Sequence, residues 1–479
     1  MPSGGAPIIR YLTSLRFFVA CLLLVEAISG VHAENVSSHP DKPNILLLLA
    51  DDQGWGDMGC AGHPVLKTPG LDKLASEGCR LTTFYTSAPV CSPSRAGILT
   101  GRDQNRFGMK HIINDGEDKS IPVFHHVPVN EPTIPRLLKS VGYKTAHIGK
   151  WHLSFSGRKD EPTPHDYGFD HYLLLAAGRH TSYKDSKWQR DGERIQTEGR
   201  WTAEVYVDEA IDFIESCTDA PFFVNLWSFA PHIAVECAGK YKEMYPGRTE
   251  QEQTYFGCIT QMDEQYGRLL DYLEEKGLTD NTIVVFTSDN GCTSPILPWV
   301  ENARGYAGPF RGSKHNIHEA GIRVPALVRW PGVTQPGSVS NEIASTLDLL
   351  PTLCSAAGVD LPDEWDFDGG LLNPAFENRP IDRPHPVYIQ YELGRMLLDR
   401  GEIFTSPPLA LRKNYWKLFC DTDFKNLELY NMDTDPGEKW NMADIHPDIA
   451  QDLLNDLEEI YPIINGPYSK TAETLNPNF

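Results

Sequence analysis

The sequence predicts an α/β protein built on a large, mostly parallel, doubly wound sheet with helices on both faces. Three observations predict it. Short apolar runs alternate with helix-length amphipathic stretches from residue 44 to residue 357, the pattern that lays crossover helices on a parallel sheet. The first run, Asn44-Ile-Leu-Leu-Leu-Leu-Ala50, is apolar without a break, as suits a strand buried on both faces. Polar clusters then follow four of the runs, where open α/β sheets gather their ligands.

In chain order, polar residues 34–42 lead into the first strand, which stops at Asp51-Asp52-Gln-Gly-Trp-Gly-Asp57. A helical stretch over 71–77 and a strand over 79–85 lead to Cys91-Ser-Pro-Ser-Arg-Ala-Gly-Ile-Leu-Thr-Gly-Arg102. There Pro93 fits the first turn of a helix, where a missing N–H costs nothing. Ala96, Ile98 and Leu99 carry that helix on. Ile134, Leu137, Leu138 and Val141 recur at i, i+3, i+4 and i+7, an amphipathic helix stopped by Gly142. Residues 144–148 read as the next strand. Residues 154–200, rich in charge, Gly and aromatics without a period, read as an insertion over a site. A helix over 203–216, a strand over 222–229, a helix over 251–276 and a strand over 282–287 follow, then a strand over 324–330 and a helix over 345–357. The Gly-, Pro- and Asp-rich stretch 358–385 marks a boundary. Beyond it, 386–391 and 416–420 read as short strands and 449–460 as a last helix.

Composition bounds the function. A formal charge of -22 argues against nucleic acid or an anionic membrane surface as partner. An anionic substrate then needs a locally inverted field, which a few cations and a metal supply. Arg10 and Arg16 precede the apolar run 17–25, and Val31-His32-Ala33 offers small residues for cleavage. This predicts a secretory signal over 1–33, too short for a membrane span, and a secreted or periplasmic protein with no membrane contact after cleavage. Residues 34–370 are expected to form the catalytic domain and 371–479 a C-terminal subdomain. Nine cysteines remain after cleavage, none in Cys-x-x-Cys or zinc spacing, and their pairing is open.

The polar clusters carry the chemistry. Asp51 and Asp52 follow the first strand, Lys150 and His152 the 144–148 strand, His232 the 222–229 strand, and Asp289 and Asn290 the 282–287 strand. Three carboxylates and an amide are hard oxygen ligands, suited to Ca²⁺ or Mg²⁺ rather than zinc. Singly, Asp-Asp-x-Gly and Asp-Asn-Gly are common turn chemistry; four sets at corresponding strand ends favour a site. Cys91 would lie at a helix N-terminus, where free N–H groups favour an anion, with Arg95 one turn on. An ordinary buried cysteine ahead of a helix fits the short motif equally well.

The longer run from Cys91 to Arg102 closely resembles the signature of the type I sulfatases. Gly149-Lys-Trp-His-Leu153, Ala-Pro-His232 and Arg311-Gly-Ser-Lys314 also match that family. The resemblance, to arylsulfatase- and N-acetylgalactosamine-6-sulfatase-like enzymes of the alkaline phosphatase superfamily, spans about Pro43 to Gly370. A weaker match at Glu428-Leu-Tyr-Asn-Met-Asp-Thr-Asp-Pro-Gly437 implies a small C-terminal antiparallel sheet. It implies that a maturation enzyme oxidises Cys91 to formylglycine. It implies that Asp51, Asp52, Asp289 and Asn290, with the converted Cys91, hold one calcium ion. Lys150, His152, His232 and Lys314 are implied to line a sulfate pocket. Two departures, Ser154 and His318-Glu-Ala-Gly321, are expected to reshape the pocket rim.

The mechanism implied is S–O fission of a sulfate ester. A hydroxyl of hydrated formylglycine attacks sulfur, with His232 as general acid and Lys314 beside it. His152 then deprotonates the second hydroxyl to release sulfate, while Arg95 and Lys150 offset negative charge. The expected substrate is a sulfated carbohydrate, and His165, Arg179, His180 and Trp188 are candidate sugar contacts. A phosphate or phosphonate monoester hydrolase of the same superfamily is the nearest alternative. A non-catalytic sulfated-glycan binding protein is the other.

Overall fold

The computed structural model describes Met1 and residues 42–113, 125–154, 161–175, 183–293, 304–362, 365–392 and 405–466. The expected export signal, Arg179 and His180 lie outside the described residues. The strands are β1 (Asn44–Ala50), β2 (Cys79–Leu81), β3 (Phe84–Tyr85), β4 (Lys144–Gly149), β5 (His171–Leu175), β6 (Lys187–Arg190), β7 (Glu193–Gln196), β8 (Phe222–Trp227), β9 (Thr282–Ser288), β10 (Ala326–Arg329), β11 (Ser338–Ser340), β12 (Ala344–Ser345), β13 (Val387–Gln390), β14 (Leu409–Lys413), β15 (Trp416–Cys420) and β16 (Glu428–Asn431). The helices used below are α1 (Pro69–Glu77), α2 (Cys91–Thr100), α3 (Ile134–Ser140), α4 (Thr202–Ser216), α5 (Glu250–Glu275), α6 (Leu349–Ala356) and α7 (Pro447–Asn465).

The leucine run is the centre of the large sheet. Its order is β11-β2-β10-β9-β1-β8-β4-β5-β6-β7. Neighbours from β9 to β5 are all parallel, while β10, β6 and β7 pair antiparallel with their neighbours. Side chains alternate across a strand, and the run serves both faces. Leu46 and Leu48 enter one core with residues of α1, α4 and α5. Ile45, Leu47 and Leu49 enter the other with residues of α2, α3 and α6. Each fully buried aliphatic side chain contributes about 1.5–3 kcal/mol, which accounts for an apolar residue at every position from Ile45 to Ala50.

The stretch 154–200 differs from expectation: it carries β5, parallel to β4, and the hairpin β6–β7, which extends the sheet. The hairpin turns at Asp191-Gly192, both with positive φ (44° and 90°), the pair a tight type I′ turn requires. Trp188 is fully buried, its Nε1 donating to Thr197 Oγ1 at 3.0 Å, and His165 packs on Tyr172 with its Nδ1 on Phe169 O at 2.9 Å. Trp188 is thus taken up by the core, while His165 stays exposed.

The second sheet, β13-β14-β15-β16, is antiparallel throughout. Its period-2 pattern is divided between two partners. Leu409, Leu411, Leu418 and Leu429 pack with Leu453, Leu457 and Ile460 of α7. Ile389, Ala410, Phe419 and Tyr430 pack with Tyr85, Val90, Ile317 and Ile322 of the large unit. The small sheet thus abuts the segments flanking Cys91 and Lys314. No cysteine pair is bridged among the described residues, and no described helix is long and apolar enough to cross a membrane.

Candidate active site

Four adjacent strands end flush. Ala50 of β1 pairs with Ser288 of β9, and Trp227 of β8 lies level with Leu49 and with Gly149 of β4. The chain leaves them through short ties: Asp289 N donates to Ala50 O at 3.1 Å, Ser228 N to Leu49 O at 2.8 Å and Lys150 N to Trp227 O at 2.9 Å. Gly149, at φ 113°, leaves a Cβ only 2.0 Å from Trp227 O, so β4 can approach β8 this closely only with glycine there. The polar residues that follow each strand are therefore delivered to one place.

Helix α2 begins at Cys91 itself, and all ten of its residues are buried. Its N-terminal turn points the thiol at the ends of β1 and β9. Asp51, Asp52, Cys91 and His232 each offer a ligand atom within 4.8 Å of the others. Cys91 Sγ is 3.6 Å from Asp51 Oδ1, and Lys314 Nζ donates to it at 3.4 Å. Lys314 also holds both Asp52 oxygens, at 2.6 and 2.8 Å. Lys150 Nζ meets Asp51 Oδ2 at 2.5 Å.

Arg95 reaches across to the acidic group rather than back to the thiol. It contacts Asp289 Oδ2 through Nε at 2.9 Å and a terminal nitrogen at 2.8 Å, lies 3.5 Å from Asp51, and donates to Lys150 O at 2.9 Å. Its guanidinium rests over Trp227, 5.1 Å from the ring centroid. Asn290 Nδ2 donates to Asp52 Oδ1 at 2.7 Å, and Asp52 N to Asp289 Oδ1 at 3.1 Å. The three carboxylates and the amide are thus contiguous. Asn290 Oδ1 is buried without a hydrogen-bond partner, an orphaned acceptor that a hard cation would satisfy. Three carboxylates face three cations here. A divalent cation would leave the pocket with capacity for two negative charges, those of a nucleophile and an ester anion.

His232 Nε2 lies 3.8 Å from Asp52, and its Nδ1 sits 2.6 Å from Ile233 O. Burial, Lys150 and Lys314 work against its protonation, but Asp51 together with Asp52 leaves the imidazole raised above its ordinary value. His152, at φ 57°, has a buried Nδ1 without a partner. Burial, then Lys150 and Arg95, hold it well below its ordinary value, so it stays a neutral acceptor. Burial alone would raise the Cys91 thiol; Lys150 and Lys314 bring it down to about 7.

The sequence-predicted residues Asp51, Asp52, Cys91, Arg95, Lys150, His232, Asp289, Asn290 and Lys314 are joined by these contacts. His152 stands beside them without a hydrogen bond to the group. Three partners were not foreseen: Thr293, whose Oγ1 donates to Asp52 Oδ2 at 2.9 Å; Thr86, whose Oγ1 donates to Asp289 O at 2.8 Å; and Trp227 under Arg95. The two sequence departures are not rim residues. Ser154 is buried, accepting from Trp151 Nε1 at 3.1 Å, and His318 is buried 3.4 Å from Glu438.

The sulfatase family domain matches residues 43–359, and the N-sulphoglucosamine sulphohydrolase C-terminal domain matches residues 310–461. The N-acetylgalactosamine-6-sulfatase of Mus musculus is 32% identical over 91% of this chain and 88% of its own length. Among solved structures, Ps i-CgsB in complex with k-i-k-neocarrahexaose superposes with a TM-score of 0.77 at 26% identity, covering 89% of this chain and 94% of its own. The PsFucS1 sulfatase from Pseudoalteromonas sp. gives 0.71 at 27%, covering 89% and 91%.

Proposed function

This chain belongs to the sulfatase family and is a sulfuric ester hydrolase; from that premise we propose that it desulfates a sulfated carbohydrate, using a formylglycine made from Cys91. Asp51, Asp52, Asp289 and Asn290, with the converted Cys91, would hold one calcium ion. The observation that carries the reading is the convergence of Cys91, Asp51, Asp52 and His232 within 4.8 Å at the ends of adjacent strands, with Lys150 and Lys314 on the same atoms. Such placement has no role in packing the sheet, and it gathers hard oxygens, cations and a nucleophile position.

The net reaction is R–O–SO₃⁻ + H₂O → R–OH + HSO₄⁻. Hydrated formylglycine would carry two hydroxyls on one carbon: one bonds to sulfur as the bond from sulfur to the alcohol oxygen breaks, and loss of the other's proton re-forms the aldehyde as the C–O bond to sulfate breaks, the aldehyde then taking up water. Calcium, when bound, lowers the cost of the alkoxide and polarises the sulfate oxygens. The chain's own residues do the rest. Lys150 and Lys314 set positive charge where the equatorial sulfate oxygens gain charge. Arg95 is spent on Asp289 and Asp51 and keeps that acidic pair assembled. His232, at the mouth of the group, is placed to give its proton to the leaving alcohol, with Lys314 alongside. His152, neutral and unpartnered at Nδ1, is placed to take the proton of the second hydroxyl.

A carbohydrate substrate is supported by the relatives, one named for a sulfated amino sugar and one solved with an oligosaccharide. The export signal proposed over 1–33 fits a secreted or periplasmic enzyme, matured by a formylglycine-generating partner. The test is a parallel assay of matched sulfate and phosphate monoesters, and of N-acetylgalactosamine 6-sulfate, with protein coexpressed with that partner. Sulfate release exceeding phosphate release by orders of magnitude is expected. The reverse preference would move the chain to phosphate or phosphonate ester hydrolysis, and no turnover beside tight binding would make it a glycan-binding protein.

A further inference from the structure

The segment that carries Lys314 is not held by the large sheet alone. Lys314 N donates to Cys292 O at 2.9 Å and His315 N to Pro89 O at 3.0 Å, which ties it to the segments after β9 and before α2. Its far side is held by the C-terminal sheet. Lys417 of β15, fully buried, donates through Nζ to Ile317 O at 3.0 Å, Glu319 Oε1 at 2.9 Å and Glu438 Oε1 at 2.8 Å. All three donors of the ammonium are used. Glu438 closes the arrangement: its Oε2 accepts from Glu319 N at 3.0 Å, and its carbonyl accepts from Arg311 at 3.1 Å. Arg311 and Ile317 flank Lys314 three residues away on either side, so both ends of the Lys314 segment are fastened to Lys417 or its partner.

A cluster of this kind is costly to bury, and well-packed apolar residues serve stability as well or better. What it does supply is directional fixing, because each ammonium donor accepts one geometry. The geometry points to Lys417 as a positioning residue for the proposed sulfatase reaction: it sets the place of Lys314 Nζ between Asp52 and Cys91, and so makes the C-terminal sheet part of the catalytic apparatus. The inference rests on the role given to Lys314 above. In the structure Lys314 Nζ bridges both Asp52 oxygens and Cys91 Sγ, three contacts that a small shift of the backbone at Ile317 would break together.

The experiment is a double-mutant cycle on the mature holoenzyme with an aryl sulfate, alongside thermal melts. Lys417→Met is expected to fold, to lose kcat by about 10- to 100-fold, the cost of misplacing a group by an ångström, and to keep KM within about threefold. Lys314→Ala alone loses kcat as well. In the Lys314→Ala background, Lys417→Met is expected to cost less than about threefold more, since the residue it positions is gone. Equal factors in both backgrounds, or full kcat in folded Lys417→Met protein, would overturn the positioning role. If Lys417→Met does not fold, Glu438→Gln, which keeps shape and an acceptor for Lys417, replaces it in the same cycle with the same criterion. Wild-type protein without sulfate-ester turnover would overturn the underlying reading instead, so the two failures are distinct.

Discussion

Replacing Arg95 with methionine removes a cation, its hydrogen bond to Lys150 O and its contact over Trp227, and keeps an unbranched side chain in the same space. The side chain is wholly buried, and its contacts to Asp289 at 2.8 Å and Asp51 at 3.5 Å are its main ionic ones. At an effective dielectric of about 20, the 2.8 Å pair alone is worth roughly 6 kcal/mol of gross attraction. That figure is not all lost. Burial, and then Asp51, raise the Asp289 carboxyl to about 6, so it can take a proton once Arg95 is gone. The net cost is therefore that of breaking a buried pair, about 3–5 kcal/mol, or a fall in apparent Tm of roughly 3–5 °C for a chain of 479 residues. Activity should fall by about 10²–10³ in kcat, as for loss of a preorganised electrostatic group. The assay is differential scanning fluorimetry with aryl-sulfate kinetics on Arg95→Met, Arg95→Met/Asp289→Asn and wild type. The double variant should regain most of the lost Tm, because the carboxylate no longer needs a partner, yet remain inactive. Arg95→Met protein with wild-type Tm and kcat, or a double variant no more stable than the single, would refute the reasoning.

Cys91→Ser should fold with a Tm within about 2 °C of wild type, the change being nearly isosteric, and lose at least about 10³ in kcat, measured by sulfate release. Dialysis against a chelator should abolish turnover, and Ca²⁺ but not Zn²⁺ should restore it, given an oxygen-only ligand set. Independently of activity, Ca²⁺ at a hundredfold excess over Kd should add about 2.7 kcal/mol of stability, visible as a rise in Tm. Acid should weaken the junction of the two sheets. Burial alone would raise the Glu319 carboxyl, but Lys417 and Arg323 bring it from 4.5 down to about 2. A folded value below the unfolded one means full stabilisation above about 4.5, lost as pH falls toward 2. Asp57, Asp103 and Asp263, which burial raises to about 7, act in the opposite sense. The expected observable is thus a wild-type Tm that drops more steeply than that of Glu319→Gln between those pH values.

The site was legible because its residues follow strands that announce themselves. Asp51 and Asp52 come straight after an unbroken apolar run, and β1, β4, β8 and β9 end level, so polar residues just past each run had to meet. Thr293, Thr86 and Trp227 were not legible, because each is recruited by a partner distant in sequence and carries no local signal. The 154–200 stretch misled through its composition. Asp191-Gly192 is a hairpin signal, but β6 and β7 are four residues each, too short to show alternation. Trp188 was offered as a sugar contact on chemistry alone; the hairpin folds it into the core, while His165 stays exposed with its Nδ1 on Phe169 O. His318 shows the same limit. It lies four residues past Lys314, yet the small sheet covers it, and nothing in the local sequence says that a second sheet closes over that segment.

The most direct measurement is peptide mass spectrometry on the fragment containing Cys91, from protein coexpressed with a formylglycine-generating enzyme and assayed on a sulfate ester. Conversion of the thiol to the aldehyde removes roughly 18 Da, whereas the sulfenic-to-sulfonic series adds mass. The account predicts that loss, with turnover proportional to the converted fraction. Full turnover in protein whose Cys91 is an unmodified thiol would contradict it.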